Sequence, residues 1–247
     1  MPRTSADLSI VLEKIASAVG GYHAAMEPAL DIRDLRFRRP GGFEIDVPSF
    51  EIAAAEQVLL TGPSGCGKST LLMLAAGLLD LDAGSISIAG RPISAVRGAA
   101  RDALRADRVG MVFQTHHLLP GLTARENVAA ALLFGGVPKG RHAEIADGLL
   151  DRLQVEPGTR IDRLSVGQQQ RVAIARAVAG EPSIVLADEP TAALDPENAA
   201  NAVALLQEIC KERGAALLLT SHDPSLESAF EHVIRFSELA GVETHAS

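Results

Sequence analysis

Apolar and polar positions change rhythm several times along this chain. Between Leu30 and Ile52 the pattern is strand-like: Ile32, Leu35 and Phe37 lead to Pro40-Gly41-Gly42, then Phe43, Ile45 and Val47 alternate with polar neighbours. Gln57-Val58-Leu59-Leu60 is a short apolar run into a glycine-rich loop, and residues 68–79 then read as a helix. Ser85 to Ala89 is a further short strand. The middle of the chain, about residues 114–180, is mostly helical. There Thr123 with Glu126 has capping-box spacing before the apolar-rich run Val128 to Phe134, and Gly135-Gly136-Val137-Pro138 ends that helix. Ile184 to Ala187 and Leu217 to Leu219 are wholly apolar strands. Glu197 to Arg213 is a helix closed by Gly214, and Val233 to Phe236 is a last edge strand. Alternating strands and helices, with strands apolar on both sides, predict an α/β fold with a mostly parallel sheet covered on both faces.

The 247 residues suit one large domain or a domain with a sizeable insertion. Aromatics are scarce and Trp is absent, so the core is built from Leu, Val, Ile and Ala. A net charge of -8 argues mildly against a free nucleic-acid binder. No run of about 18 apolar residues is present to span a bilayer. Cys66 and Cys210 form neither a CxxC pair nor a disulfide framework, which points to a reducing compartment. Residues 1–29 stand apart. Ile10-Val11-Leu12 is broken at once by Glu13 and Lys14, so this segment reads as a short helix or loose tail, with Met26 an alternative start of translation.

Two motifs carry candidate chemistry. The run Gly62, Pro63, Ser64, Gly65, Cys66, Gly67, Lys68, Ser69, Thr70 fits G-x-x-x-x-G-K-[ST] between an apolar strand and a helix. Glycines let successive N–H groups face a phosphate, and the helix adds its positive end. Lys68 is placed to reach the β- and γ-phosphates of a nucleotide, and the Ser69 hydroxyl to bind Mg2+. The second motif is Ile184-Val185-Leu186-Ala187-Asp188-Glu189, an apolar strand ending in two carboxylates at the sheet edge where ligands bind in open α/β folds. Asp188 is the candidate Mg2+ holder, and Glu189 the candidate general base or orienter of water.

With these motifs in this order, the chain resembles the ATP-binding cassette (ABC) ATPases over about Leu30 to Phe236. Val112-Phe113-Gln114 looks like the family's glutamine loop. Leu164-Ser165-Val166-Gly167-Gln168-Gln169-Gln170-Arg171 looks like its signature motif. Ala193-Leu194-Asp195 and Thr220-Ser221-His222-Asp223 follow. Ser165 with Gln168 also has capping-box spacing, which sets the signature at a helix N-terminus. The resemblance implies a P-loop NTPase (RecA-like) fold, with an N-terminal antiparallel β subdomain and an inserted α-helical subdomain at about 115–178. The ATPase domain is then 30–240 and the tail 241–247.

The resemblance also implies roles. ATP and Mg2+ are the implied ligands, sandwiched head to tail in a homodimer, with Ser165, Gly167 and Gln168 of one copy meeting the γ-phosphate held by the other. Gln114 senses Mg2+ and the attacking water and couples to the membrane partner. His222 contacts the γ-phosphate and holds Glu189. Asp195 lies at the dimer seam, and is also suited to cap the helix beginning at Pro196. The implied partner is an integral membrane permease, with this chain peripheral at the cytoplasmic face of the inner or plasma membrane.

Two positions depart from the family pattern. Val166 stands where glycine is usual. Arg39 occupies the place of the aromatic that stacks on adenine; a guanidinium plane can stack there, while Phe37 at strand spacing reads as core. The segments from Gln114 to Pro120 and from Leu122 to Val128 look similar to the branch of lipoprotein-release and macrolide-export ATPases, favouring export or extraction over import. The alternatives are a soluble ABC ATPase of a DNA-repair or translation complex, and a nucleotide-binding regulator that no longer hydrolyses.

Overall fold

The computed structural model describes residues 27–39, 42–192 and 194–240; the expectations for residues 1–26 and 241–247 lie outside them. An antiparallel sheet has the order β2-β1-β4-β5, built from β1 (Leu30–Arg39), β2 (Phe43–Ile52), β4 (Ala83–Ile88) and β5 (Arg91–Pro92). In β1 the inward residues are Leu30 and Ile32, then Leu35. The three-residue step is made by Asp34, whose φ is 48 and where the pairing with β4 slips. Gly84 is required opposite, because a Cβ there would lie 2.3 Å from the Asp34 carbonyl oxygen.

The second sheet is wholly parallel, ordered β6-β7-β8-β3-β9. Its strands are β3 (Gln57–Thr61), β6 (Val109–Val112), β7 (Ile184–Asp188), β8 (Ala216–Ser221) and β9 (His232–Arg235). Successive residues of β7 and β8 enter different cores. Val185, Ala187, Leu217 and Leu219 join one hydrophobic cluster, while Ile184, Leu186, Ala216 and Leu218 join the other. That is why these strands read as unbroken apolar runs rather than alternating ones.

Helices α1 (Lys68–Ala75) and α2 (Gly98–Arg108) precede β6. α1 is shorter than the spacing predicts, because Gly77 turns into the left-handed region at φ 66. α3 (Ala124–Ala131), α4 (His142–Arg152) and α5 (Val166–Val178) pack on one another between β6 and β7. α3 opens with the expected capping box, Thr123 accepting from the Glu126 N–H and Glu126 from the Thr123 N–H. α6 (Pro196–Arg213) ends at Gly214 in the αL conformation, as its sequence predicts. The short α7 (Phe236–Leu239) buries Phe236 behind the loop that follows β3. Four elements, β5, α2, β6 and α7, have no counterpart in the sequence reading, and the last strand stops at Arg235 because Phe236 opens α7.

Candidate active site

The carboxyl ends of β3, β7 and β8 lie side by side in the parallel sheet, and each carries one part of the site. β3 runs into the loop 62–67 and then α1. Gly65 and Gly67 have φ of 80 and 121, conformations that favour glycine. The cap of α1 is Gly67, with no side-chain hydrogen bond and no acidic residue in the first turn. The helix therefore offers its first N–H groups and positive end to an anion. Phe43 and Phe236 press against the loop: a Cβ on Gly67 would meet the Cζ of each ring at 2.9 Å.

Lys68 is buried, only 3% exposed. Its ammonium donates to the carbonyls of Gly62 at 2.7 Å and Pro63 at 3.0 Å, and lies 3.4 Å from the Glu189 carboxylate. The Ser69 hydroxyl donates to Asp188 Oδ1 at 2.9 Å, and so does Thr220 from β8. Glu189 follows at the tip of β7 with φ of 42, left-handed and strained for a non-glycine residue. Thr220 holds this turn: the Glu189 N–H donates to its carbonyl at 3.1 Å and its hydroxyl at 3.2 Å. The Glu189 carboxylate meets His222 Nδ1 at 2.8 Å, with the ring itself exposed. The structure thus brings Lys68, Ser69, Asp188, Glu189 and His222 together. It adds Thr220, whose only sequence signal was its place beside Ser221 and His222.

The other candidates make no side-chain hydrogen bond or ion pair with this cluster among the described residues. Gln114 is exposed just beyond β6, whose strand pairs with β7. Ser165 caps α5, accepting from the Gln168 N–H at 3.3 Å, while its own N–H donates to Gln168 Oε1 at 3.0 Å. Among the described residues no hydrogen bond joins this helix end to the phosphate loop. Val166 is 48% exposed, and open space surrounds the Cα of Gly167. Asp195 caps α6, accepting from the Asn198 N–H at 3.0 Å and side-chain amide at 2.5 Å. These bonds hold its carboxyl below the usual range. Arg39 is exposed at the end of β1, paired with Phe43, the residue whose ring touches the phosphate loop. Phe37 packs partly buried against the core, as its spacing predicts.

A groove of about 450 Å³ runs between α2, β6 and the helices, and Phe113, His117, Phe134 and Arg176 are among its walls. Phe134 is 75% exposed.

A family profile described as "ABC transporter" matches residues 45–192. The lipoprotein-releasing system ATP-binding protein LolD of Paramagnetospirillum magneticum is 43% identical over 192 residues, covering 77% of this chain and 85% of that protein. The macrolide export ATP-binding/permease protein MacB of Escherichia coli K12 is 36% identical, covering 86% of this chain but 34% of MacB. Among solved structures, the ATP-binding cassette MJ0796, in a dimeric post-hydrolysis state bound to ADP and Pi, superposes with a TM-score of 0.71. It is 31% identical, covering 83% of this chain and 93% of that one.

Proposed function

Because the chain belongs to the ABC transporter ATPase family, we propose that it is the nucleotide-binding subunit driving a separate membrane permease, peripheral at the cytoplasmic face of the inner or plasma membrane. Its ATPase reading is carried by one observation, the continuous contact of Lys68, Glu189 and His222 beside Ser69, Asp188 and Thr220. ATP lies in the loop 62–70, its β- and γ-phosphates taken by the N–H groups and by Lys68, which exchanges its loop carbonyls for phosphate oxygens. Arg39, at the hairpin end, stacks on adenine. Glu189, aimed by its strained turn and by His222, orients water in line with the γ-phosphate. A second copy supplies Ser165, Gly167 and Gln168 to the same phosphate, and Asp195 lies at the seam.

The residues present fit Mg2+. A hydroxyl from Ser69 and one carboxylate from Asp188 form a small oxygen-only set, of the kind Mg2+ uses when phosphates and water complete its shell. Gln114 is the third candidate contact. Bound there, the ion neutralises charge on the phosphates.

A permease partner is supported by three observations. Among the described residues no helix is long and apolar enough to cross a membrane. The groove beside Gln114 has the exposed side chains of Leu78 and Phe134 among its walls, room and apolar surface for a partner helix. In MacB, whose name joins ATP-binding and permease, this chain matches only about a third of the length. The names of LolD and MacB favour release or export over import. The division into a domain at 30–240 with a helical insert at 115–178 belongs to the same reading.

The test is Glu189→Gln. Nucleotide binding is expected to persist, turnover to fall by roughly 10²- to 10⁴-fold, and an ATP-bound dimer to accumulate. Unchanged turnover removes Glu189 from its role. Phe134→Asp is expected to keep basal turnover while abolishing co-purification with the permease from detergent-solubilised membranes.

A further inference from the structure

Beyond Gln114 the backbone takes a strained path. His116 and His117 both have positive φ, 57 and 46. Left-handed backbone costs an L-residue about 1–2 kcal/mol, and two in succession persist only where neighbours over-determine them. The neighbour here is Arg176, in the last turn of α5. Its Nη2 donates to the His116 carbonyl and its Nη1 to the His117 carbonyl, each at 2.6 Å. One planar guanidinium thus grips both strained residues, a fork that the single ammonium of lysine does not reproduce.

Within the turn the His116 N–H donates to the Phe113 carbonyl at 3.0 Å and the His117 N–H to the Thr115 carbonyl at 2.6 Å, and Arg176 ties this turn to α5. The His116 ring is buried and faces Gln170, itself only 2% exposed on the same helix as Arg176. The His117 ring meets Phe113 edge to face, with centroids 4.8 Å apart, and both residues line the groove with Arg176. Arg176 lies eleven residues along α5 from Ser165, about 16 Å at 1.5 Å per residue.

We infer that Arg176 is a positioning residue that, through the His116 and His117 carbonyls, locks the Gln114 loop and the groove floor to the helix beginning at Ser165. The three then shift as one body. A permease helix seated in the groove moves the Gln114 loop and Ser165 together, rather than the loop alone. This rests on the proposed roles of Gln114 and Ser165.

The chain has no Trp, so Thr115→Trp, at an exposed position beside Gln114, places a single reporter in the loop. In that parent, Arg176→Ala is expected to raise acrylamide quenching about twofold. It should also lower kcat roughly tenfold with KM for ATP nearly unchanged. Arg176→Lys, which keeps the charge without the fork, is expected to resemble Ala more than Arg. Quenching and kcat per folded molecule equal to the parent's, with only the melting temperature lowered, overturn the inference. If Arg176→Ala does not fold, Arg176→Lys alone decides on the same readouts. A wild-type chain without turnover indicts the ATPase reading instead, and quenching then decides this one.

Discussion

Gly167→Ala separates what one chain needs from what two chains need. Gly167 is the second residue of α5, its φ lies outside the left-handed region, and a Cβ built there meets nothing within 4 Å. Within one molecule the substitution is free of clash. Ala exceeds Gly in helix propensity by about 0.8–1.0 kcal/mol in a helix interior, and about half of that is a fair figure for a first turn. At about 2–4 °C per kcal/mol for a chain this long, the melting temperature should rise by about 1–2 °C. The functional effect has the opposite sign. An N–H donor approaches a phosphate oxygen to about 2.9 Å, which leaves little room for a methyl on the same face. A tenfold loss of ATP-driven dimerisation, about 1.4 kcal/mol, is the least expected. Light scattering with size-exclusion chromatography, in a Glu189→Gln background titrated with ATP, reads the dimer; calorimetry without ATP reads stability. Unaltered dimerisation in a protein of raised stability would refute the idea that this helix end faces a nucleotide.

Gly67→Ala is the contrary case. Its Cβ meets two ring atoms at 2.9 Å from a backbone at φ 121, so a loss of about 1–3 kcal/mol is expected in urea denaturation, together with loss of ATP binding. Burial pushes the Cys210 thiol up to about 12, leaving on the order of 10⁻⁴ thiolate at pH 8, whereas Cys66 is half-buried in the phosphate loop. Iodoacetamide followed by intact-mass analysis should add one group, at Cys66, and ATP should slow it; labelling indifferent to ATP counts against the loop as its site. Glu126 accepts from the Thr123 backbone and hydroxyl, which holds its carboxyl below the ordinary 4.5. The stability it adds is present above the unfolded value and lost as pH falls through the lower folded one. Urea midpoints of wild type and Glu126→Gln should therefore differ at pH 7 and converge as acidification carries the pH below the folded value; a gap that persists in acid contradicts this.

The parts legible in sequence are those where one residue type has one physical use. Gly67-Lys68-Ser69, the carboxylates ending an apolar strand, and Asp195 before Pro196 could each be placed because their spacing dictates both element and chemistry. What escaped obeys other constraints. In α2 the single buried residue is Arg101, so there is no apolar stripe to read. β6 is four residues long and contains Gly110, which counts against a strand in sequence. In the fold that glycine is needed, since a Cβ there would lie 2.3 Å from the Ala177 carbonyl of α5. The roles of Thr220 and Arg176 depend on residues 32 and 60 positions away, a distance no periodicity encodes.

Asp195 has both carboxylate oxygens committed to Asn198, one to its main chain and one to its side chain. Any group of a second molecule arriving at that carboxylate must share it or draw it away. If drawn away, the opening turn of α6 loses the side-chain cap on the Asn198 N–H and frays. Association would then be recorded as faster amide exchange at residues 197–199, a loosening inside each chain that accompanies the tightening between them.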